Sequence, residues 1–378
     1  MLGSPGKPWF PCRIDRVPRP AWMLFACLTV LAVGCGDNHA LQSPAGATSG
    51  LNARTTAAGP GTRVTLRLGY LPNITHATAI VGVESGIFGR NPGANAKLTT
   101  ATFNAGPAAV EALFSGALDA SYIGPDPAIN AYVRSRGEAV RIVSGATSGG
   151  ASLIVRPEIN APADLRGKKV ASPQLGNTQD GALRSWLQIQ GLKSDAQGGG
   201  DVCVTPQENA DTLVAFKSGQ VAGAWVPEPW ATRLVVEGGG KVLVDERDLW
   251  PGGQFPSTVL VVRTDYLQQH PDVVAGLLRG QVEANSFVNA QPAEAQRLLS
   301  GALERLTGQA LRQDVITAAW QHMTFTNDPL VGSLKQSASA AVALGFLKLD
   351  GPDIARISDL RPLNTALQAS GSTEVQSK

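Results

Sequence analysis

The sequence is poor in the residue types that most often carry catalysis or hold metals. Its 378 residues include 4 His and 4 Cys, and Asp, Glu, Lys and Arg together make up only 16%. The histidines, at positions 39, 76, 270 and 322, show no metal-ligand spacing. Neither a Gly-x-x-x-x-Gly-Lys-Ser/Thr phosphate loop nor a Gly-x-Ser-x-Gly nucleophile motif is present. We therefore expect a protein that is not an enzyme and that uses no metal or cofactor.

Cysteine is too scarce to build a network of disulfides. Cys12 and Cys27 lie in a segment that we expect to be cleaved off, and Cys35 stands at its end. That leaves Cys203 alone, so the sequence predicts no disulfide inside a mature monomer. Basic residues form no stripe beyond residue 34. We therefore expect no nucleic-acid partner.

The amino-terminal segment has the pattern of a secretory signal peptide. After Arg13, Arg16 and Arg19, an uncharged run of 14 residues extends over Ala21–Gly34. Such a run is shorter than the ~20 residues that span a bilayer but typical of a signal-peptide apolar region. It ends in Leu31-Ala32-Val33-Gly34-Cys35, which resembles a bacterial lipobox, although Leu is commoner where Ala32 stands. We predict a lipoprotein signal peptide over residues 1–34 and lipidation at Cys35, with plain secretion as the alternative.

Residues 35–62 are predicted to be a flexible tether. They are rich in Gly, Ala, Ser and Thr and show no apolar periodicity. A lipid on Cys35 followed by such a tether would hold a folded body near the outer face of the cytoplasmic membrane. The predicted location is therefore the cell envelope, outside the cytoplasm.

The rest of the chain has the pattern of an α/β protein. Apolar residues make up 43% of the sequence, enough for a large core. β-branched strands alternate with amphipathic helices from Val64 to Arg263, and the chain is mostly helical from Pro271 onward. This alternation predicts a mostly parallel sheet in each folded unit.

One helix–strand–loop pattern occurs twice. Ser218–Trp230 contains a helix end at Gly219, a short apolar strand and a proline-rich loop, and Ser115–Pro127 has the same construction. The repeat favours two similar lobes, with chance similarity as the alternative. We predict lobe 1 over residues 63–157 and 257–370, lobe 2 over 158–256, and a disordered tail over 371–378. The two crossings between the lobes would form a hinge.

Polar, glycine-lined loops stand where the predicted strands end, which is where open α/β sheets bind ligands. Asn177-Thr178-Gln179 and Thr75-His76 each precede a helix, whose free N–H groups attract anions. Ordinary capping of those helices is the alternative. Ser148–Ala151 is either an anion-binding nest or a plain turn.

Four side chains in these loops have two possible roles each. His76 either donates to a ligand oxygen or caps its own helix, and Trp225 either walls a cleft or packs beneath its loop. Asp126 and Glu228 could receive a ligand amine, although Glu228 could equally pair with Arg233. The loops contain no Lys or Arg. Neutral donors would therefore hold an anionic ligand, which favours sulfonate or nitrate over phosphate.

Five short motifs follow one another along the body of the chain. They are Gly69-Tyr70-Leu71-Pro72-Asn73-Ile74-Thr75-His76-Ala77, Gly86-Ile87-Phe88, Phe114-Ser115-Gly116-Ala117-Leu118-Asp119-Ala120, Asp164-Leu165-Arg166-Gly167-Lys168-Lys169-Val170 and Trp225-Val226-Pro227-Glu228-Pro229-Trp230. In this order they resemble the nitrate/taurine/aliphatic-sulfonate class of ABC-transporter substrate-binding lipoproteins. The likeness extends from about Val64 to at least Leu349.

The resemblance implies a type 2 periplasmic-binding-protein fold, with two lobes joined by two crossing segments and a ligand held between them. It also implies a monomer that delivers a small solute to a membrane permease driven by a cytoplasmic ATPase. Carried over position by position, it implies the following ligand-binding residues: Asn73, His76, Asn104, Ala105, Gly106, Gly124, Pro125, Asp126, Ser148, Gly149, Gly150, Ala151, Asn177, Thr178, Gln179, Trp225 and Glu228.

Two other functions remain open from the sequence. Some chorismate-processing and pyrimidine-forming enzymes resemble this fold, and a ligand sensor for a membrane receptor would share the same cleft. The export signal weighs against an enzyme, because it places the protein away from cytoplasmic substrates. A solute-binding component of an ABC importer is therefore the leading prediction.

Overall fold

The computed structural model describes residues 63–92, 96–348 and 351–376. The expected signal peptide, the lipidation site Cys35 and the tether lie outside these residues and stay predictions. No helix in the described part of the chain is long and apolar enough to cross a bilayer. Cys203, the one cysteine in that part, is disulfide-bonded. The other cysteines lie outside the described residues, so the expectation of no disulfide inside a mature monomer stays a prediction.

Two sheets organise the described residues. The first has the order β11-β4-β10-β3-β1-β2 and contains β1 Val64–Tyr70, β2 Ala96–Thr102, β3 Ala120–Ile123, β4 Val140–Gly149, β10 Pro256–Arg263 and β11 Met323–Phe325. The second has the order β7-β6-β8-β5-β9 and contains β5 Ala151–Val155, β6 Lys169–Ser172, β7 Cys203–Pro206, β8 Gly223–Pro227 and β9 Lys241–Asp245. Each sheet is the centre of one lobe, lobe 1 and lobe 2 respectively.

Helices cover the faces of both sheets. Those of lobe 1 are α1 Ala77–Glu84, α2 Ile87–Arg90, α3 Gly106–Phe114, α4 Pro125–Arg134, α8 Thr264–Gln269, α9 Pro271–Ala290, α10 Pro292–Thr307, α11 Gln313–Trp320, α12 Val331–Ala343 and α13 Arg361–Ala369. Those of lobe 2 are α5 Thr178–Ile189, α6 Asn209–Lys217 and α7 Trp230–Val236. Short 3-10 turns occupy Ile74–His76, Pro162–Leu165, Glu246–Leu249, Pro251–Gly253 and Ile354–Arg356.

The sheets are mixed, which corrects the expectation of mostly parallel ones. Of the nine strand pairings among the described residues, four are parallel. The parallel pairs are linked by helical crossovers, as this geometry requires. The antiparallel pairs involve β4, β5 and β10, which adjoin the passages between the lobes. Of these three, β5 and β10 enter their sheets directly from those passages, without a helical crossover, and both run against their neighbours.

The core of each lobe has two apolar layers, one on either face of its sheet. In lobe 1, Leu68 packs on the same face as Leu277 of α9, and Ile123 packs on the other face with Ile129 of α4. In lobe 2, Leu153 and Ile154 are consecutive residues of β5 that belong to opposite layers. Because side chains alternate along a strand, a sheet covered on both faces needs a continuous apolar run. The β5 sequence Ala-Ser-Leu-Ile-Val largely meets that need.

The first crossing between the lobes lies earlier than the sequence suggested. β4 ends at Gly149 in the first sheet, and β5 begins at Ala151 in the second. The expectation that lobe 1 continues to residue 157 was therefore wrong. Gly149 and Gly150 have φ values of +79° and +74°, a left-handed conformation that glycine adopts easily, and they bend the chain out of one sheet into the other. The second crossing runs from Glu246 to Phe255.

The carboxyl-terminal tail is ordered through Val375, contrary to the expected disorder of residues 371–378. The Asn364 side chain accepts a hydrogen bond from Val375 N and donates one to Val375 O, both at 3.0 Å. Val375 also packs against the core of lobe 1. Pairing of both backbone groups by one amide holds this segment against α13.

Candidate functional site

The loops after β3 and β6 bring the two lobes into direct contact. α4 begins at Pro125 in lobe 1, and α5 begins at Thr178 in lobe 2. A Cβ built on Gly124 would clash with Thr178 Oγ1, and one built on Gly181 would clash with an Asp126 carboxylate oxygen. Two glycines therefore allow the close approach. The structure thus brings together Gly124, Pro125 and Asp126 with Thr178, as the sequence analysis expected of two facing strand-end loops.

Capping explains part of the loop before α5. Asn177 Oδ1 accepts from Thr178 N at 2.8 Å, so the Asn177 side chain occupies the N-cap position. Gln179 is buried in the first turn of the same helix. Thr178 Oγ1 is buried and has no hydrogen-bond partner among the described residues. This hydroxyl is left for a ligand or a water.

A cavity of about 190 Å³ lies between the lobes beside Thr178. α5 and the second crossing form part of its wall, and α12 of lobe 1 closes it from the other side. Pro125, Asp126 and Thr178 line it, together with Trp186, Glu246, Trp250 and Phe255, which sequence reasoning did not select. The rings of Trp250 and Phe255 stack with centroids 5.8 Å apart. The cavity is therefore aromatic and apolar, with a few polar groups, as small-molecule sites usually are.

Two carboxyl groups face this cavity region. Glu246 is buried, and its Oε2 accepts a hydrogen bond from Trp225 Nε1 at 2.7 Å. Burial raises the pKa of Glu246 to about 7, against the opposing effect of its hydrogen bonds. Burial also raises the pKa of Asp126 well above its usual range, with further contributions from Glu246 and Asp180. Both groups are therefore costly to keep ionised in this buried environment.

Asp180 has a different environment from these two carboxyl groups. It forms a buried ion pair with Arg184 at 3.1 Å. Its oxygens also accept hydrogen bonds from Ser172 Oγ at 2.7 Å and from Gly176 N at 3.1 Å. Asp180 is thus neutralised within lobe 2, and its role is to fix the start of α5 beneath the cleft.

Trp225 lies in the core and not on an open cleft wall. Its ring is 0% exposed and meets Trp186 edge-on, with centroids 6.0 Å apart and an interplanar angle of 62°. It belongs to the apolar layer that contains Leu153 and Leu183. Of the two roles left open by the sequence, the geometry supports packing. Trp225 influences the cavity through its hydrogen bond to Glu246, and direct ligand contact stays a prediction.

His76 is a neutral hydrogen-bonding group. It is buried at the end of the Ile74–His76 turn, and its Nδ1 accepts from Leu71 N at 3.3 Å. Burial lowers the pKa of His76 to about 3, so the ring is uncharged at physiological pH. With Nδ1 accepting, the proton sits on Nε2, which is a donor. This state suits the predicted donation to a ligand oxygen without adding a positive charge.

Asn73 and Asn104 lie at a second space between the lobes, of about 300 Å³. Asn104 Nδ2 donates to Glu208 Oε1 at 2.8 Å, a hydrogen bond that links lobe 1 to lobe 2. Asn73 is 6% exposed, and its Oδ1 has no hydrogen-bond partner among the described residues. Ala105 and Gly106 begin α3, where Gly106 packs against Pro127 inside lobe 1. The backbone of this helix start, and not those small side chains, is what a ligand could contact.

Ser148, Gly149, Gly150 and Ala151 form the first crossing and its flanks. Ser148 pairs with Pro256 and Thr324 in the first sheet, and Ala151 pairs with Pro227 in the second. Glu228 N donates to Gly150 O at 2.8 Å. The structure therefore places this segment at the first crossing between the sheets, while its roles as a hinge and as an anion-binding nest stay predictions.

Glu228 is paired across the lobes, and not with Arg233. Its Oε1 lies 2.6 Å from Nδ1 of His322, which belongs to lobe 1. Arg233 pairs instead with Glu237, at 2.8 Å, one helical turn further on. Glu228 is buried, and it also accepts from Thr232 N and Thr232 Oγ1 at 3.0 Å each. Its hydrogen bonds are thus taken up within the protein.

The missed residues gave little signal in the sequence. Trp186 follows the apolar period of its helix like a core residue, and Glu246 reads as a charged residue after a strand. Trp250 and Phe255 flank a Pro-Gly-Gly turn that reads as an ordinary loop. They reach one cavity because the second crossing folds back over α5, which no local pattern shows.

Comparison with known proteins extends over most of the described chain. The model of the NMT1-like family matches residues 59–301. Putative binding proteins of Brucella abortus and Brucella suis are 29% identical over 236 residues, 61% of this chain and 69% of theirs. The taurine-binding periplasmic protein of Escherichia coli is 28% identical over 190 residues, 50% of this chain and 57% of that protein.

Solved structures share the fold. The alkanesulfonate-binding protein SsuA from Xanthomonas axonopodis, bound to MOPS, superimposes with a TM-score of 0.66 at 20% identity, over 79% of this chain and 99% of that one. The periplasmic nitrate-binding protein NrtA from Synechocystis gives a TM-score of 0.65 at 17% identity, over 81% and 89%. The expected periplasmic-binding-protein fold is therefore confirmed. Since the family model matches well over half of its length, the chain belongs to the NMT1-like family.

Proposed function

We propose that this protein is the extracytoplasmic solute-binding component of an ABC importer. It captures a small solute between its lobes and delivers it to a membrane permease that a cytoplasmic ATPase drives. The observation that carries this proposal is the facing pair of strand-end loops, Gly124–Asp126 and Asn177–Gln179, on two lobes joined by two crossings. Relatives named as taurine- and aliphatic sulfonate-binding proteins support the same function.

Capture follows from closure of the lobes over the solute. A solute shifts the equilibrium toward the closed form by as much as it binds that form better. Micromolar affinity corresponds to about 8 kcal/mol, which several hydrogen bonds and an apolar wall supply without covalent chemistry. The groups available include Thr178 Oγ1, the Nε2–H of His76 and the backbone at the start of α5. Binding with release, and not turnover, is the activity that this arrangement supports.

The solute we propose carries a sulfonate or a similar singly charged acid group. Neutral donors suit such a weakly hydrated head better than phosphate, and the candidate loops contain no Lys or Arg. The names of the relatives, which include taurine, aliphatic sulfonates and, among solved structures, nitrate, support this class. We propose that the protein acts as a monomer.

We also propose that a lipid on Cys35 anchors the protein to the outer face of the cytoplasmic membrane. The support is the sequence Leu-Ala-Val-Gly-Cys after an apolar run of signal-peptide length. The Cys35→Ser variant should be released from the membrane fraction, while the wild-type chain should require detergent. If both chains were released equally without detergent, the protein would be secreted without a lipid anchor.

The experiment that tests the function combines binding with uptake. We would measure thermal unfolding of the purified full chain with taurine, short alkanesulfonates and nitrate, and uptake of the same solutes by cells with and without the gene. A solute at 100 times its Kd should add about 2.7 kcal/mol to the free energy of unfolding. Deletion should abolish uptake of the solute that stabilises the chain. Chemical conversion of a bound solute, or unchanged uptake after deletion, would contradict the proposal.

A further inference from the structure

Two carboxyl groups at the interlobe cavity have no cation among the described residues to balance them. Asp126 comes from lobe 1 and Glu246 from the second crossing, and both line the same cavity. Neither forms an ion pair with a Lys, Arg or His among the described residues. Glu246 accepts side-chain hydrogen bonds from Trp225, at 2.7 Å, and from Trp250, and neither donor is a cation. The site therefore lacks a positive charge.

The charged groups nearby are already engaged with other partners. On α5, Arg184 pairs with Asp180, and beside Glu246, Arg247 pairs with Asp245. His322 pairs with Glu228. None of these cations is available to Asp126 or Glu246 without breaking an existing pair. A counter-charge for the ionised forms of Asp126 and Glu246 would therefore have to come from outside the described residues.

The rest of the cavity wall is apolar and aromatic. Trp186, Trp250 and Phe255 contribute rings, and Leu249 and Ile189 contribute aliphatic surface. The last two are 42% and 77% exposed, so they add accessible apolar surface to the wall. Aromatic faces attract organic cations and also bury their hydrocarbon parts. Such walls suit a molecule that combines a positive charge with apolar surface.

A third observation points to a ligand at the same place. Thr178 Oγ1 lines the cavity, belongs to a side chain that is 5% exposed, and has no hydrogen-bond partner in the described chain. A buried hydroxyl without a partner is costly, so a ligand donor or acceptor next to it is expected. The described residues contain no group of three or more His, Cys, Asp or Glu that could hold a metal ion. The ligand set thus favours an organic cation over a metal.

We propose that the solute carries a protonated amine joined to an apolar group. The ammonium lies between Asp126 and Glu246 with a hydrogen bond to Thr178, and the apolar group lies among Trp186, Trp250 and Phe255. This inference rests on the proposed solute-binding function and narrows its solute class. Combined with the acid group proposed above, it describes an amphoteric solute, with its basic and hydrophobic end in the cavity.

The energetics tie this amine to lobe closure. Closing the empty cleft buries two carboxyl groups from opposite sides, and burial without a counter-charge favours their protonated forms. An ammonium between them restores the ionised forms and forms charge-assisted hydrogen bonds. Because Asp126 and Glu246 reach the cavity from different sides of the cleft, these bonds exist only in the closed form. The amine is therefore the group of the solute that shifts the equilibrium toward the closed form.

The test uses four probes that differ in one feature at a time. The first, 2-(cyclohexylamino)ethanesulfonate, has an amine, a cyclohexyl ring and a sulfonate. In 3-cyclohexylpropanesulfonate, a methylene replaces the amine. Taurine lacks the ring, and N-ethylcyclohexylamine lacks the sulfonate. We would measure Kd for the full chain by calorimetry at pH 7, where an alkylamine with an ordinary pKa near 10 is protonated.

We expect the first probe to bind at least tenfold tighter than its amine-free analogue. Calorimetry in two buffers of different ionisation enthalpy should show proton uptake when the amine-free analogue binds, because closure then buries the carboxyl groups without a counter-charge, and little or none for the amine probe. Asp126→Asn and Glu246→Gln should each weaken the amine probe about tenfold and leave the analogue unchanged or tighter. Asp248→Asn is the matched control, since Asp248 is an exposed neighbour of Glu246 that does not line the cavity, and it should change neither Kd.

The outcomes separate this inference from the proposed function. Equal affinity for the amine probe and its analogue, or no effect of Asp126→Asn and Glu246→Gln on folded protein, would overturn the inference. Failure of both cyclohexylamine probes to bind would overturn it as well, whichever other solutes bind. The uptake experiment decides the transport function independently of these results.

Discussion

Glu228 of lobe 2 and His322 of lobe 1 are joined across the cleft, with Oε1 and Nδ1 2.6 Å apart. The carboxylate is buried, while the imidazole is 42% exposed. The hydrogen bond to Glu228 raises the pKa of His322, and burial opposes it only in part. The pair therefore holds the lobes together most strongly when His322 is protonated.

This pair predicts a pH dependence of stability. A histidine whose pKa is raised in the folded state contributes its full stabilisation below its unfolded pKa near 6.5, and loses it as the pH rises through the folded pKa. We expect the melting temperature of the wild-type chain to exceed that of His322→Gln at pH 5.5. By pH 9 the difference should be much smaller. A difference that is the same at both pH values would show that the ion pair contributes nothing.

Gly124→Ala should weaken solute binding by blocking closure. Gly124 has φ −67° and ψ 159°, which alanine adopts without strain, so the change acts only through the new methyl group. That group would clash with Thr178 Oγ1 across the cleft. We expect at least a tenfold rise in Kd and a larger radius of gyration in saturating solute, measured by calorimetry and solution scattering.

Gly332→Ala is the matched control for that change. Gly332 lies exposed in the first turn of α12 with open space around its Cβ position, so alanine fits there and gains at most about 0.5 kcal/mol over glycine. It should keep the wild-type Kd and be slightly more stable. Unchanged affinity in Gly124→Ala would mean that the two loops do not meet in the bound form.

Arg184→Met should destabilise lobe 2 strongly. Arg184 and Asp180 are 2% and 0% exposed, so removal of the cation leaves a buried carboxylate without its partner. Such a loss costs about 3–5 kcal/mol. Denaturant unfolding should show this, and Asp180→Asn in the same chain should recover a good part of it. Arg297→Met, which breaks an exposed pair with Glu294, should change stability by less than about 1 kcal/mol.

Trp225→Ala should act first on stability, because the ring is in the core. Replacing a fully buried aromatic side chain by alanine costs about 3–5 kcal/mol. Trp225→Phe keeps most of the packing but removes the hydrogen bond to Glu246, so its cost should be smaller. Thermal and denaturant unfolding measure both. If Trp225→Ala lost solute affinity but kept its stability, the ring would contact the solute and would not serve mainly as a core residue.

The sequence predicted those parts of the fold that follow from local patterns and from the order of motifs along the chain. Alternating strands and helices, a repeated strand-end loop and motif order indicated two lobes of the periplasmic-binding-protein type. Gly124–Asp126 and Thr178 also meet as expected, because loops at corresponding strand ends face each other in such lobes. These features depend on local sequence and known geometry.

Other features depend on which distant residues pack together. β4 and β5 are separated by one residue, and nothing in Ser152–Val155 shows that it joins the other sheet. Trp225 follows a strand pattern whether its ring faces solvent or Trp186. Glu246 became a candidate only when the second crossing was seen to fold over α5. In each case the sequence does not show which distant residue or strand the segment packs against.

The two passages between the sheets differ greatly in length. Gly150 alone separates β4 from β5, whereas the return passage includes two short 3-10 turns. An extra amino acid beside Gly150 would shift the β5 register by one, and Leu153 and Ile154 would exchange sides of their sheet. The return passage carries an exposed tip at Pro251-Gly252, where Gly252 has room for added length. A fluorescent reporter is therefore best spliced at that tip, where it would sense each cycle of opening.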